Sequence, residues 1–190
     1  VTRVSRETDI QLSLNLDGSG ITELDTGVGF FNHMLDAMCR FGQMDLKLKC
    51  TGDLDVDAHH TVEDCGICLA RALKEALGDR KGIRRAGSAY MPMDEALAFA
   101  ALDISGRPYL AFDAEFRGEK CGTMDTQLCE EFFRAVTGAG VTLHLKVLAG
   151  KNDHHKMEAL FKAFGLALRD AVSLDARISG VLSTKGMLDE

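Results

Sequence analysis

The chain has only two prolines, and neither lies in a run that would stiffen a linker, so nothing in the sequence separates independently folding domains. No apolar run approaches the length of a membrane span, and Val1-Thr2-Arg3 does not open a signal-peptide pattern. Positive charge is also short. Twenty-two Lys and Arg face 29 Asp and Glu, for a net charge of −7, which argues against a nucleic-acid surface. An acidic chain that takes an anionic ligand must do so with a local basic cluster. The six cysteines form no secreted framework, which points to a reducing compartment and a cytoplasmic location. Cys65 and Cys68 make one C-x-x-C, but no second pair completes a zinc site, and both fall in an apolar run that reads as core.

What is present is ordinary in bulk: 190 residues, 46% hydrophobic and 27% charged, enough for one domain or two fused half-domains around a sizeable core. Histidine is used sparingly, with six in all, and four of them make two adjacent pairs. His59-His60-Thr61-Val62-Glu63 is written again as His154-His155-Lys156-Met157-Glu158. Each copy follows a polar, Asp-bearing stretch and precedes an apolar periodic run, which predicts the first turn of a helix. Residues three and four apart share a helix face, whereas neighbours diverge by about 100°. His59 and Glu63 can therefore chelate one cation while His60 points elsewhere. A single His-His could equally be a solvated or capping helix start; repetition at the same place in a repeated unit favours metal.

The repeat extends upstream. Asp45–Lys49 reads as a strand preceded by a helical run holding His33, and Leu143–Val147 as a strand preceded by a run holding Glu131. Setting Gly52 opposite Gly150 places His33 opposite Glu131. A duplication predicts pseudo-twofold symmetry, so a ligand in one half should have a counterpart in the other. Two sets result: His59, Glu63, Glu131 and a crossed His155; and His154, Glu158, His33 and a crossed His60. Imidazole and carboxylate both suit first-row divalent metals. The crossing requires the two motifs to face one another, within a chain or between chains. His144 lies in an alternating strand and reads as structural.

In chain order, residues 3–16 alternate as one strand, a short strand falls near 21–24, and the first motif opens a helix to about Leu77. Strand-like stretches follow at 87–93, 96–104 and 108–116, then a helix at about 126–138, a strand at 141–148 and a helix at 154–173. This is an α+β pattern: two sheets and a helical layer, with one half-domain in residues 1–80 and the other, with a C-terminal tail, in 81–190. Arg84, Arg85, Arg107, Lys162 and Lys185 stand near loops or helix starts, where such residues can clamp a phosphate or lie solvated. Arg107, in Ser105-Gly106-Arg107-Pro108, would have its direction fixed by a tight turn.

Several segments carry a family resemblance. Arg6-Glu7-Thr8, Phe31-Asn32-His33-Met34-Leu35-Asp36, Gly52-Asp53-Leu54, both His-His motifs, Pro92-Met93-Asp94-Glu95-Ala96-Leu97, Ser105-Gly106-Arg107-Pro108, Phe161-Lys162-Ala163-Phe164 and Ser183-Thr184-Lys185-Gly186 together resemble imidazoleglycerol-phosphate dehydratase, in the monofunctional form, over essentially the whole chain. The resemblance implies a duplicated half-domain with two four-stranded sheets of the ribosomal protein S5 domain 2-like type. It implies two Mn²⁺ per active site and a 24-subunit homo-oligomer with sites between subunits. The implied reaction is loss of water from D-erythro-imidazole-glycerol phosphate to give imidazole-acetol phosphate, with the imidazole held as imidazolate. His33, His59, His60, Glu63, His154, His155 and Glu158 match metal ligands, and Glu131 stands where some relatives have His. Arg85, Arg107, Lys162, Ser183 and Lys185 match a phosphate clamp. Glu7 matches a substrate-contacting acid and is the candidate proton shuttle, with solvent on a metal as its rival. From the residues alone, a dinuclear metallohydrolase and a metal-organised storage assembly stay open.

Overall fold

The structure is a computed structural model that describes residues 1–188. Strands β1 (Thr2–Val4), β2 (Thr8–Asn15) and β3 (Thr22–Asp25) lead through helix α1 (Gly29–Gly42) to β4 (Asp45–Gly52) and helix α2 (His59–Leu77). The order then recurs. Strands β5 (Ala86–Met93), β6 (Ala96–Asp103) and β7 (Tyr109–Asp113) lead through a small hairpin, β8 (Lys120–Cys121) and β9 (Met124–Asp125), to α3 (Leu128–Val136), β10 (Thr142–Ala149) and α4 (Asp153–Val172).

The two four-stranded sheets have the same topology, β1-β2-β4-β3 and β5-β6-β10-β7. In each, the third strand in sequence pairs in parallel with the last, which requires a crossover, and a helix supplies it: α1 between β3 and β4, α3 between β7 and β10. The fold is α+β with a duplicated half-domain, as the sequence predicts. Two details differ. The stretch 3–16 is two strands, because Ser5 breaks it: its hydroxyl accepts from the backbone N–H of Glu7 and Thr8 at 3.1 and 3.0 Å. Such a side-chain turn competes with the ladder. The β8–β9 hairpin has two-residue strands, too short for any alternation to reveal.

Helix α2 packs on the first sheet and α4 on the second, while α1 lies against α4 and α2 against α3. Inward positions of the strands (Ile10, Leu12; Leu46, Leu48; Ala98, Ala100; Leu143, Leu145) are buried, in period two. The helical layer is joined by phenylalanines. Phe31 of α1 meets Phe132 of α3 edge-on at 5.3 Å, and Phe132 stacks on Phe161 of α4 at 5.2 Å. Each buried ring contributes on the order of 1.5–3 kcal/mol. The cluster also fixes the phase of α1, which carries His33 two residues beyond Phe31. No helix among the described residues is long and apolar enough to cross a membrane.

Gly165 permits the close approach of α1 and α4, since a Cβ there would collide with the Met38 carbonyl oxygen. Gly165→Ala must push the two helices apart. We expect a loss of about 1–3 kcal/mol from overpacking, read as a fall in thermal midpoint of roughly 2–4 °C per kcal/mol for a chain of this size. A thermal scan of the metal-free variant at fixed concentration checks this.

Candidate metal centre and substrate cavity

The second motif begins α4. Asn152 caps the helix, its side chain accepting from His155 N at 3.3 Å, and Asp153 supplies negative charge in the first turn. At the first motif Ala58 cannot cap, and Asp57 Oδ1 accepts from His59 N at 2.7 Å instead. Both His-His pairs therefore occupy a first helical turn. Their rings diverge as expected, with interplanar angles of 83° in each pair.

The contact between α1 and α4 assembles three of the predicted ligands. Glu158 Oε2 lies 3.1 Å from His33 Nε2 and 3.0 Å from His154 Nε2. One donor atom from each of the three residues falls within 4.8 Å of the others, a group that can hold a metal ion. Two imidazoles and one carboxylate suit a divalent first-row metal. Glu158 is buried, and Lys162 Nζ binds its other oxygen at 2.5 Å. Burial alone would raise the Glu158 carboxyl, but Lys162 and then His33 and His154 outweigh it, so the group sits below its ordinary value. The buried carboxylate is therefore ionised at neutral pH, which is the form a metal requires.

The first motif is looser. His59 Nε2 is 3.8 Å from Glu63 Oε2, and Glu131 lies 3.6 Å from Arg134 of its own helix. Among the described residues these three do not form a group as tight as that of His33, His154 and Glu158. The crossed histidines join neither set within one chain. His60 Nδ1 is 2.9 Å from Asp53 Oδ2, and its Nε2 is 3.7 Å from Glu7 Oε1. His155 Nδ1 is 2.8 Å from Glu95 Oε2, and its Nε2 is 3.8 Å from Asp94 Oδ2. Hydrogen bonding to Asp53 raises the basicity of His60, and bonding to Glu95 raises that of His155 and holds the Glu95 carboxyl down at about 2.

Asp53, Asp94 and Glu95 stand in segments that carry the family resemblance, but sequence reasoning gave them no role. Asp53 stands in the acidic approach to the first motif, but Glu95 reaches its histidine from a hairpin sixty residues away. No spacing rule links the two.

Glu7 is displayed by a rigid turn. Its backbone carbonyl accepts from Asp53 N at 3.0 Å, and Thr8 beside it donates to the buried Asp64 carboxylate. Arg3 closes the same carboxylate from the other side of the turn at 2.9 Å. The turn carrying Glu7 is thus pinned to α2, the helix that begins with His59 and His60.

The predicted phosphate residues divide. Arg85, Arg107, Ser183 and Lys185 line one cavity of about 530 Å³, with Ser105. Arg85 holds a left-handed backbone conformation (φ 69°), and its guanidinium binds Asp103 through Nε and Nη2 at 2.6 and 2.8 Å. Its Nη1 donates to Leu182 O at 2.7 Å, which fastens the tail segment over the cavity. Ser183-Thr184-Lys185-Gly186 is a turn, with Ser183 Oγ accepting from Lys185 N. Lys162 is not at this cavity within the chain; it is occupied by Glu158, because the two stand one turn apart on α4.

A family model described as imidazoleglycerol-phosphate dehydratase matches residues 26–168, about three quarters of the chain. The chain belongs to the imidazoleglycerol-phosphate dehydratase family. It is 61% identical over 189 residues to the imidazoleglycerol-phosphate dehydratase of Acetivibrio thermocellus, covering 99% of this chain and 97% of that one. The same enzyme of Symbiobacterium thermophilum is 59% identical, with 99% and 91% covered. A crystal structure of the Pyrococcus furiosus family member superposes with a TM-score of 0.86 at 37% identity, covering 99% of this chain and all of that one. The Staphylococcus aureus dehydratase superposes with a TM-score of 0.82 at 42% identity, covering 92% and 98%. An imidazoleglycerol-phosphate dehydratase is a hydro-lyase of histidine biosynthesis, and that activity takes the place of the hydrolase and storage readings.

Proposed function

We propose that this dehydratase acts through a dinuclear Mn²⁺ centre built from His33, His59, His60, Glu63, Glu131, His154, His155 and Glu158. The observation that carries the reading is the convergence of His33, His154 and Glu158 from two helices onto one point. When bound, the metals supply Lewis-acid stabilisation of the charge that develops on the substrate imidazole. Everything else falls to the chain. Arg107, Ser183 and Lys185 grip the phosphate in the cavity, with Arg85 holding its wall, and that remote binding positions the reacting carbons. Glu7 Oε1 moves the proton at the carbon beside the imidazole. The enzyme acts on D-erythro-imidazole-glycerol phosphate and releases imidazole-acetol phosphate and water.

The sites are completed between chains of a homo-oligomer of 24 subunits, each chain folding its halves, 1–80 and 81–190, into one body. Support comes from what a single chain leaves apart: His60 and His155 lie outside the tight ligand group, and Lys162 lies away from the other phosphate residues. In such an assembly, stripping the metal leaves carboxylates facing one another across an interface, where they repel. Chelation should convert the large particle to a smaller oligomer and Mn²⁺ should restore it. Sedimentation showing one particle size with and without chelator would contradict sharing.

Arg107→Ala tests the phosphate end. If the contact is uniform binding, KM rises and kcat holds; if it positions the reacting carbons, both suffer. Steady-state kinetics with bound manganese measured in parallel checks it, and an unchanged KM and kcat would remove Arg107 from the clamp.

The pH dependence follows from opposite shifts. A depressed carboxyl such as Glu158 stays ionised above 4.5 and is lost only as pH falls through its lower folded value. His60 and His155 are raised above 6.5, so in the metal-free chain they take up protons earlier, on the way down from neutral pH. A metal ligand must be the neutral ring. The acid limb of activity should therefore be set by histidine protonation and should move to lower pH as Mn²⁺ is raised. A limb indifferent to metal concentration would assign it to another group.

A further inference from the structure

Two carboxylates outside every ligand set each hold one motif histidine by the same ring nitrogen. Asp53 Oδ2 lies 2.9 Å from His60 Nδ1 and Glu95 Oε2 lies 2.8 Å from His155 Nδ1. An ionised carboxylate only accepts, so in a neutral ring Nδ1 carries the hydrogen and Nε2 keeps its lone pair. The charged groups facing Nε2, Glu7 on His60 and Asp94 on His155, stand at 3.7 and 3.8 Å, beyond hydrogen-bond reach.

The two carboxylates are not copies of one another. Asp53 follows β4 in the first half, whereas Glu95 sits between β5 and β6 in the second. Different elements thus deliver the same chemistry to the second histidine of each pair. Both supports are themselves fixed. Glu95 Oε1 accepts from Lys151 N and Asn152 N at 3.0 and 2.7 Å. Asp53 is fixed through its backbone, its N–H donating to Glu7 O at 3.0 Å and its carbonyl accepting from Val56 N at 2.8 Å, while its carboxylate Oδ1 is buried without a partner.

We infer that Asp53 and Glu95 are positioning residues for the metal centre, each locking its histidine in the tautomer whose Nε2 is the metal ligand. The inference rests on His60 and His155 being ligands. A carboxylate on the far nitrogen of a ligand histidine fixes ring and tautomer, and its loss costs about 10–100-fold in metal affinity.

The test compares amide with alanine variants in the full chain. Glu95→Gln can keep its oxygen on the 151–152 amides, but its NH₂ then donates to His155 Nδ1 and drives the ring hydrogen onto Nε2. Asp53 has no such anchor, since its Oδ1 is without a partner, so the amide oxygen of Asp53→Asn can stay on His60 Nδ1 and keep the tautomer, and Asp53→Ala is the informative change there. The readout is the Mn²⁺ dissociation constant, by competition with a fluorescent chelator, for wild type, Glu95→Gln, Glu95→Ala, Asp53→Asn and Asp53→Ala, with circular dichroism confirming the fold. We expect Glu95→Gln to bind Mn²⁺ about 10–100-fold more weakly than wild type and no better than Glu95→Ala, and Asp53→Ala to lose about as much while Asp53→Asn stays closer to wild type. At Glu95 a packing role predicts the reverse order, since the amide is the better replacement in shape. A Glu95→Gln that binds like wild type or clearly better than Glu95→Ala, or an Asp53→Ala that binds like wild type, overturns the inference while leaving the metal centre in place. A wild-type chain that binds no Mn²⁺ overturns the metal reading itself. Should Glu95→Gln fail to fold, Asp53→Ala decides.

Discussion

Glu7→Gln should lower kcat on the order of 10²–10⁴-fold while bound manganese and particle size stay as in wild type. Gln has the shape of Glu and most of its hydrogen bonding, but it cannot exchange a proton. The turn that carries it does not depend on the carboxylate. Its hydrogen bonds come from Ser5 Oγ, the Glu7 carbonyl and the Thr8 and Arg3 contacts to Asp64, all of which survive the substitution. The loss should therefore appear in kcat without a change in assembly. Steady-state dehydration, metal analysis and sedimentation on one preparation decide it. A near-normal kcat would hand the proton transfer to solvent held at the metal or to another carboxylate, and Asp94, which faces His155 as Glu7 faces His60, would be the first to substitute.

The second large effect is expected at Glu158. Glu158→Gln removes the buried charge that two half-exposed imidazoles and the largely buried Lys162 ammonium share. Deleting one partner of a fully buried pair costs about 3–5 kcal/mol, but Lys162 keeps 17% of its side chain in water, so a loss of about 1–3 kcal/mol is expected. Metal affinity should fall as well, since an amide oxygen replaces a carboxylate. The variant should thus be both metal-poor and less stable even when compared metal-free. Denaturant unfolding in chelator separates the two losses. Stability equal to wild type in chelator would mean that Lys162 finds another partner and that the ion pair adds little.

These two positions show how unevenly the site was legible. Glu158, His33 and His154 could be read because helical spacing and duplication are sequence properties, and the α1–α4 contact then brought them to one point. The alternation of Ile10 and Leu12, and of Leu46 and Leu48, likewise foretold the buried face of the first sheet. Glu95 could not be read, because its hold on His155 depends on where a hairpin lands in three dimensions. Lys162 shows the opposite limit. It was expected near a loop or helix start as a candidate anion ligand, yet it stands in the middle of α4 with Glu158 as its i−4 neighbour, and that nearer partner takes it within the chain. The break at Ser5 was hidden for a related reason: one hydroxyl diverts two backbone donors without disturbing the apolar alternation around it.

The most direct test of the central claim is an anomalous difference map at the manganese edge from crystals of the Mn²⁺-loaded protein. Two peaks per active site are expected: one at coordination distance from His33 Nε2, His154 Nε2 and Glu158 Oε2, completed by His60 of another chain; the other at His59, Glu63 and Glu131, completed by a crossed His155. A map with no peak at the His33, His154 and Glu158 group, or with one supplied by a single chain throughout, would contradict it.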